Sequence, residues 1–126
     1  MSNMRISELD KLQADYCHAI SNPRRALLLR ILGEGERSVS ALVELTGFSP
    51  ANVSQHLTLL RSRRIVAMRR EGGFTLYRLA QPRILEAMSL MREALLESLD
   101  RQQRDLDPTG DRESSPLGIE SSPIAE

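Results

Sequence analysis

The chain has 126 residues and 14.2 kDa, 40% hydrophobic and 27% charged, with 17 basic residues balanced by 17 acidic ones. That length fits one domain. A single cysteine, Cys17, excludes an intrachain disulfide framework and a multi-cysteine zinc site, and no apolar run approaches a membrane span. The N-terminus, MSNMRISELD, lacks an apolar signal core. With the lone thiol, this gives the expectation of a cytoplasmic protein that needs no membrane.

Leu9, Leu12, Tyr16 and Ile20 recur at three- and four-residue spacing, which predicts an amphipathic helix over 5–20. Asn22-Pro23 then supplies an N-cap and an N1 proline, whose missing N–H costs nothing in a first turn. The helix it opens, RRALLLRIL, closes at Gly33 or Gly35. A short third helix begins near Ser40, carries Leu42, Val43 and Leu45, and stops at Gly47. Ser49-Pro50 repeats the cap-and-proline signal. In the helix that follows, PANVSQHLTLLRSRR, Val53, Leu57 and Leu60 fall on one face. The opposite face carries Ala51, Gln55, Thr58 and Ser62, flanked by Asn52, Ser54 and Leu59. Small and amide side chains suit approach to base edges, whereas a merely solvated helix usually shows Lys and Glu.

Two strand-like runs, IVAMRR and FTLYRLA, flank Glu71-Gly72-Gly73, a hairpin signal. Pro82 starts a long helix with Ile84, Leu85, Met88, Met91, Leu95 and Leu99 along one stripe. The expected fold is mainly α with a small β-hairpin, in the order α-α-α-α-β-β-α: a winged helix-turn-helix. The helix-turn-helix spans about 40–63 and the wing about 65–79, within a domain over 1–104. Residues 105–126 hold Pro108, Pro116, Pro123 and no apolar period, so they read as a disordered acidic tail.

The zero net charge hides a division. Residues 1–99 hold fourteen Lys or Arg against ten Asp or Glu, and residues 100–126 hold three against seven. From Arg61 to Arg78 there are six arginines and one carboxylate, Glu71. The expected DNA contacts are Ser49, Asn52, Ser54, Gln55 and Thr58 on the helix. Arg61, Arg63, Arg64, Arg69 and Arg70 would neutralise phosphates, with Gly72 and Gly73 as a narrow tip for the minor groove. The plainer alternative is a solvated arginine face. Arg78 and Tyr77 read as structural, and His56 as packing or a phosphate contact in preference to a metal ligand.

AISNPRRALLLRIL (19–32), SVSALVELTGFSPANVSQHLTLLRSRRIV (38–66) and REGGFTLYRL (70–79) together resemble the ArsR/SmtB family of bacterial winged-helix repressors. The resemblance covers roughly residues 9–100. It implies a homodimer joined through the first and last helices, binding an inverted-repeat operator and released by a small effector. The residues support a dimer independently, because the first and last helices carry apolar stripes that so small a core need not use.

The resemblance also shows what is missing. Metal-sensing relatives carry Cys-x-Cys where this chain has Ser38-Val39-Ser40, and the last helix has no histidine. Glu86, Glu93 and Glu97 read as exposed charges, so no metal site and no cofactor are expected. Cys17 reads foremost as a small buried hydrophobe. As a sensor it would be a redox- or metal-responsive thiol acting with His18. A small organic effector against Met4, Met88 and Met91 is the third option. No nucleophile–base pattern or phosphate-binding glycine loop points to an enzyme. Two other readings stay open: a winged-helix module that binds protein, and an architectural protein that binds DNA without sequence preference.

Overall fold

A computed structural model describes residues 4–106. The helices are α1 (Glu8–Ile20), α2 (Pro23–Leu32), α3 (Val39–Thr46), α4 (Pro50–Ser62) and α5 (Arg83–Leu106). The strands are β1 (Arg37–Ser38), β2 (Val66–Glu71) and β3 (Phe74–Leu79), so β1 falls between α2 and α3. Elements α1 to β3 lie in one compact unit ending at Pro82, and α5 lies in a second.

Each of the first four helices starts on a side-chain cap. Ser7 and Asp10 form a reciprocal capping box on α1, with Asp10 N–H donating to Ser7 Oγ at 3.0 Å. Asn22 Oδ1 accepts from the N–H groups of Arg24 and Arg25 at 2.8 and 3.2 Å, beside the N1 proline. Ser38 caps α3 and Ser49 caps α4. Such caps are worth about 1 kcal/mol each. The third helix therefore begins at Val39, one residue before the expected Ser40, because the hydroxyl of Ser38 satisfies Ala41 N–H.

The core is built from Leu28, Leu29, Leu42, Val53, Leu57, Leu60, Ile65 and Val66, all but fully enclosed, with Phe48 and Tyr77 beside them. The buried stripe expected of α4 is thus in place. Its C-terminus is a Schellman motif: Arg64 N–H donates to Arg61 O and Ile65 N–H to Leu60 O, at 2.9 and 3.0 Å. Arg64 sits at the left-handed position, φ 62°. The helix therefore stops at Ser62, two residues before the sequence pattern suggests.

The sheet has strand order β1-β3-β2, all antiparallel. Six residue pairs from Val66↔Leu79 to Glu71↔Phe74 form the wing. Its loop is Gly72-Gly73, with φ 54° and 88°, two successive left-handed residues that a two-residue hairpin of this twist requires. The third strand was not expected: two polar residues, Arg37 and Ser38, pair with Tyr77 and Leu76.

Helix α5 runs through Asp105 and Leu106, which the sequence pattern places in the tail. The remainder of that expected tail, 107–126, lies outside the described residues. Helix α1 starts at Glu8, three residues after the expected start, because Ser7 is its cap. Leu9 and Leu12 are exposed and Tyr16 is half-buried, so of the expected α1 stripe only Ile20 is buried, with Ala19 beside it.

Candidate nucleic-acid interface

The turn between α3 and α4 is held by Gly47 and Thr46. Gly47 takes φ 76° and donates its N–H to Val43 O at 2.8 Å, closing α3. Thr46 Oγ1 donates to Leu42 O at 2.7 Å and accepts from Phe48 N–H at 3.1 Å. Phe48 is buried, and the Arg24 guanidinium lies 5.0 Å from its ring centroid. The angle at which α4 leaves the turn is therefore set by packing as well as by backbone geometry.

With Val53, Leu57 and Leu60 turned inward, Ser54, Gln55 and Thr58 are exposed. None makes a side-chain hydrogen bond among the described residues, so their donors and acceptors face water. Asn52 and Ser49 differ from that expectation. Asn52 is half-buried, and its Oδ1 is shielded without a hydrogen-bond partner. Ser49 is exposed, but its Oγ accepts from Asn52 N–H at 3.1 Å.

The five expected phosphate-binding arginines separate into two groups. Arg63 pairs with Asp15 of α1 at 2.8 Å, an electrostatic contact without hydrogen-bond alignment. Arg69 holds Glu36 in a bidentate pair, Nε–Oε2 2.9 Å and Nη2–Oε1 2.8 Å, and reaches Glu71 Oε2 at 3.2 Å. Hydrogen bonding to Arg69 holds the Glu36 carboxyl below its ordinary range, and the same contacts raise Arg69. Neither arginine is an uncommitted cation. Arg61, Arg64 and Arg70 are exposed and have no carboxylate partner among the described residues; Arg61 Nη1 rests 3.2 Å from Met68 Sδ.

His56 has packing and a polar tie, the first of the two roles expected of it. Arg25 donates from Nη1 to His56 Nδ1 at 3.3 Å. Its Nε donates to Ala19 O, and its Nη2 to His18 O at 3.5 Å, so one guanidinium joins the end of α1 to α4. Burial, then the charges of Arg25 and Arg24, hold His56 below its ordinary pKa. The unfolded chain therefore takes up a proton that the folded chain resists. Stability should be full above about pH 6.5 and decline as the pH falls through that ordinary value. Urea midpoints at pH 7.5 and 5.5 measure this, and His56→Gln should shrink the difference. An equal drop in both proteins would assign the acid sensitivity elsewhere.

Cys17 corrects the reading of a buried hydrophobe: it is exposed in the chain, and so is His18. A helical wheel places Cys17 at the stripe's margin, and among the described residues the packing that buries Ala19 and Ile20 does not reach it. Among the described residues, no three His, Cys, Asp or Glu side chains gather to hold a metal ion. No described helix is long and apolar enough to cross a membrane. Two functional partners escape sequence reasoning, Glu36 and Asp15. They stand 33 and 48 positions from Arg69 and Arg63, and no local pattern signals such pairs.

The sequence model of the arsR family of bacterial regulatory proteins matches residues 22–67. The HTH-type transcriptional regulator Rv0081 of Mycobacterium tuberculosis is 36% identical over 93 residues, covering 73% of this chain and 82% of that protein. The crystal structure of Rv0081 aligns with a TM-score of 0.68 at 34% identity, over 76% of this chain and 97% of that one. A transcriptional repressor SmtB homolog of Synechocystis is 32% identical over 95 residues, 74% of this chain and 72% of that protein. The homodimeric winged helix-turn-helix DNA-binding domain Mb0332 (fragment 1–100) of Mycobacterium bovis, solved by NMR, aligns with a TM-score of 0.64. That match has 30% identity and covers 75% of this chain and 90% of the other. With its capped helix-turn-helix, its two-glycine wing and these alignments, the chain belongs to the ArsR family of winged helix-turn-helix transcriptional regulators.

Proposed function

We propose that the chain is a homodimeric repressor that reads an inverted-repeat operator through α4 and is released by a small effector. The observation that carries this is the outward face of α4. Ser54, Gln55 and Thr58 are exposed and uncommitted there, with Arg61, Arg64 and Arg70 around them, none facing a carboxylate among the described residues. Gln55 is the amide able to pair bidentately with adenine; Ser54 and Thr58 serve a base or a phosphate. Asn52 contributes at the edge of the surface, and Ser49 through its backbone and cap. The Gly72-Gly73 tip enters the minor groove, with Arg70 holding the adjoining phosphates. Arg63 takes a lesser part, since it already faces Asp15, and Arg69, held by Glu36, takes none in operator binding.

Dimerisation is supported by the exposed Met4, Ile6, Leu9 and Leu12 at the N-terminal end, and by Leu90, Met91, Leu95 and Leu96 on α5. The homodimeric Mb0332 supports the same assembly. The exposed Cys17 and His18 are where a metal or redox effector would act.

Selection of duplexes from a random pool tests the reading. Gln55→Ala should lose roughly 1–3 kcal/mol of discrimination at one base position per half-site, with affinity for random duplex nearly unchanged. An unenriched pool would favour an architectural DNA-binding protein, and no binding to any duplex would favour a protein-interaction module.

A further inference from the structure

The two arginines of β2, Arg69 and Arg70, stand on opposite faces of the sheet. Along β2 the side chains alternate, so Met68 and Arg70 share one face while Ala67, Arg69 and Glu71 share the other. Arg61 of α4 rests on Met68, which identifies the Met68–Arg70 face as the one turned to α4. The reverse face takes Leu76 and Phe74, cross-strand from Arg69 and Glu71, and reaches Glu36 just before β1. Arg78 is on that face too, and its charge acts on Glu36.

The cationic face and the masked face therefore differ in kind. On the α4 side Arg61, Arg64 and Arg70 have no carboxylate partner among the described residues. On the reverse side Arg69 is held by both Glu36 and Glu71. A strut holding the wing in place is not needed there, since six β2–β3 pairs and the β1–β3 pairing already fix the hairpin. The consequence of the cluster is electrostatic.

We propose that Glu36 and Glu71 are specificity-determining residues: by masking Arg69 they keep DNA off the reverse face of the wing. This rests on the DNA-binding reading given above. A duplex docked on the wrong face would have its phosphates neutralised without bringing α4 to a groove, which is non-specific binding. Specificity is a difference between affinities, so suppressing the wrong mode raises it as surely as strengthening the right one. In the specific mode the reverse face is turned away, and the mask has no effect on affinity.

The test uses the full chain, a 30-base-pair duplex of random sequence, and a duplex that wild type itself selects from a random pool. Fluorescence anisotropy is followed across a salt series. Glu36→Gln/Glu71→Gln should bind the random duplex roughly five- to tenfold tighter near 0.1 M salt for each phosphate that an unmasked arginine neutralises. Its salt slope should steepen by about 0.9 for each such phosphate. Affinity for the selected duplex should hold, so the preference ratio falls. Adding Arg69→Ala should remove most of the tightening. A thermal melt confirms folding, and Glu36→Gln alone serves if the double variant melts early. Unchanged or weaker binding of random duplex by a folded variant overturns the mask, and weaker binding would assign the cluster a strut's role. Tightening that survives Arg69→Ala also overturns it, because the carboxylates would then act by direct repulsion. Failure of the underlying reading looks different: wild type binds no duplex, or Arg70→Ala leaves its binding and salt slope intact.

Discussion

Met91→Glu/Leu95→Glu is expected to yield folded monomers whose operator affinity falls by about two to four orders of magnitude. The size comes from linkage. Two recognition helices on one rigid dimer bind the second half-site as an intramolecular event, which raises overall affinity by about 10²–10⁴ with no other change at either site. Both side chains are more than half exposed in the single chain, at 56% and 57%. Replacing them removes apolar surface from the proposed interface without opening the chain's own core. Four charges facing their symmetry mates across a C2 interface would repel as well. Sedimentation gives the oligomeric state, and anisotropy on a full operator and on a half-site separates the two contributions. Half-site affinity should be close to that of wild type. A variant that stays dimeric would place the interface on other residues.

Leu57→Ala is expected to cost about 2–5 kcal/mol of folding stability. The side chain is fully enclosed at the centre of α4, the helix that packs on α1, α2, α3 and β2. Truncation leaves a cavity whose lining cannot collapse, because the Schellman motif and the Thr46–Phe48 turn pin both ends of the helix. Domains of this size have only about 5–15 kcal/mol in total, so the loss should bring the unfolding midpoint sharply down. Chemical denaturation followed by circular dichroism measures it. Thr58→Ala, one residue away and exposed, is the comparison and should change stability by less than about 0.5 kcal/mol. A small effect at Leu57 would mean that the core around α4 is loosely packed.

The parts of this structure that sequence foretells are those whose cause is local. Asn22-Pro23 and Ser49-Pro50 start helices because a cap and a fixed φ act within one turn, and Gly72-Gly73 makes a hairpin for the same reason. Val53, Leu57 and Leu60 were legible as a buried stripe because helical period alone brings them together. What was not legible depends on partners far along the chain. Strand β1 has two polar residues and no period, and exists because Tyr77 and Leu76 offer it an edge. The commitment of Arg69 and Arg63 needed Glu36 and Asp15, which only the fold brings near. Cys17 shows a further gap: a wheel tells which way a side chain points, not whether anything stands opposite it.

Arg64 occupies a backbone position that glycine would take without strain. A side chain in the left-handed region costs roughly 1–2 kcal/mol, and the buried Leu60–Ile65 contact of the Schellman motif holds it there. A chain tuned for thermal resistance alone would carry glycine at 64. The cation that glycine would remove is one of the three, with Arg61 and Arg70, that have no carboxylate partner among the described residues. On the DNA-binding reading proposed above, heat tolerance and hold on DNA compete at this one position, and Arg64→Gly should gain the first at the expense of the second.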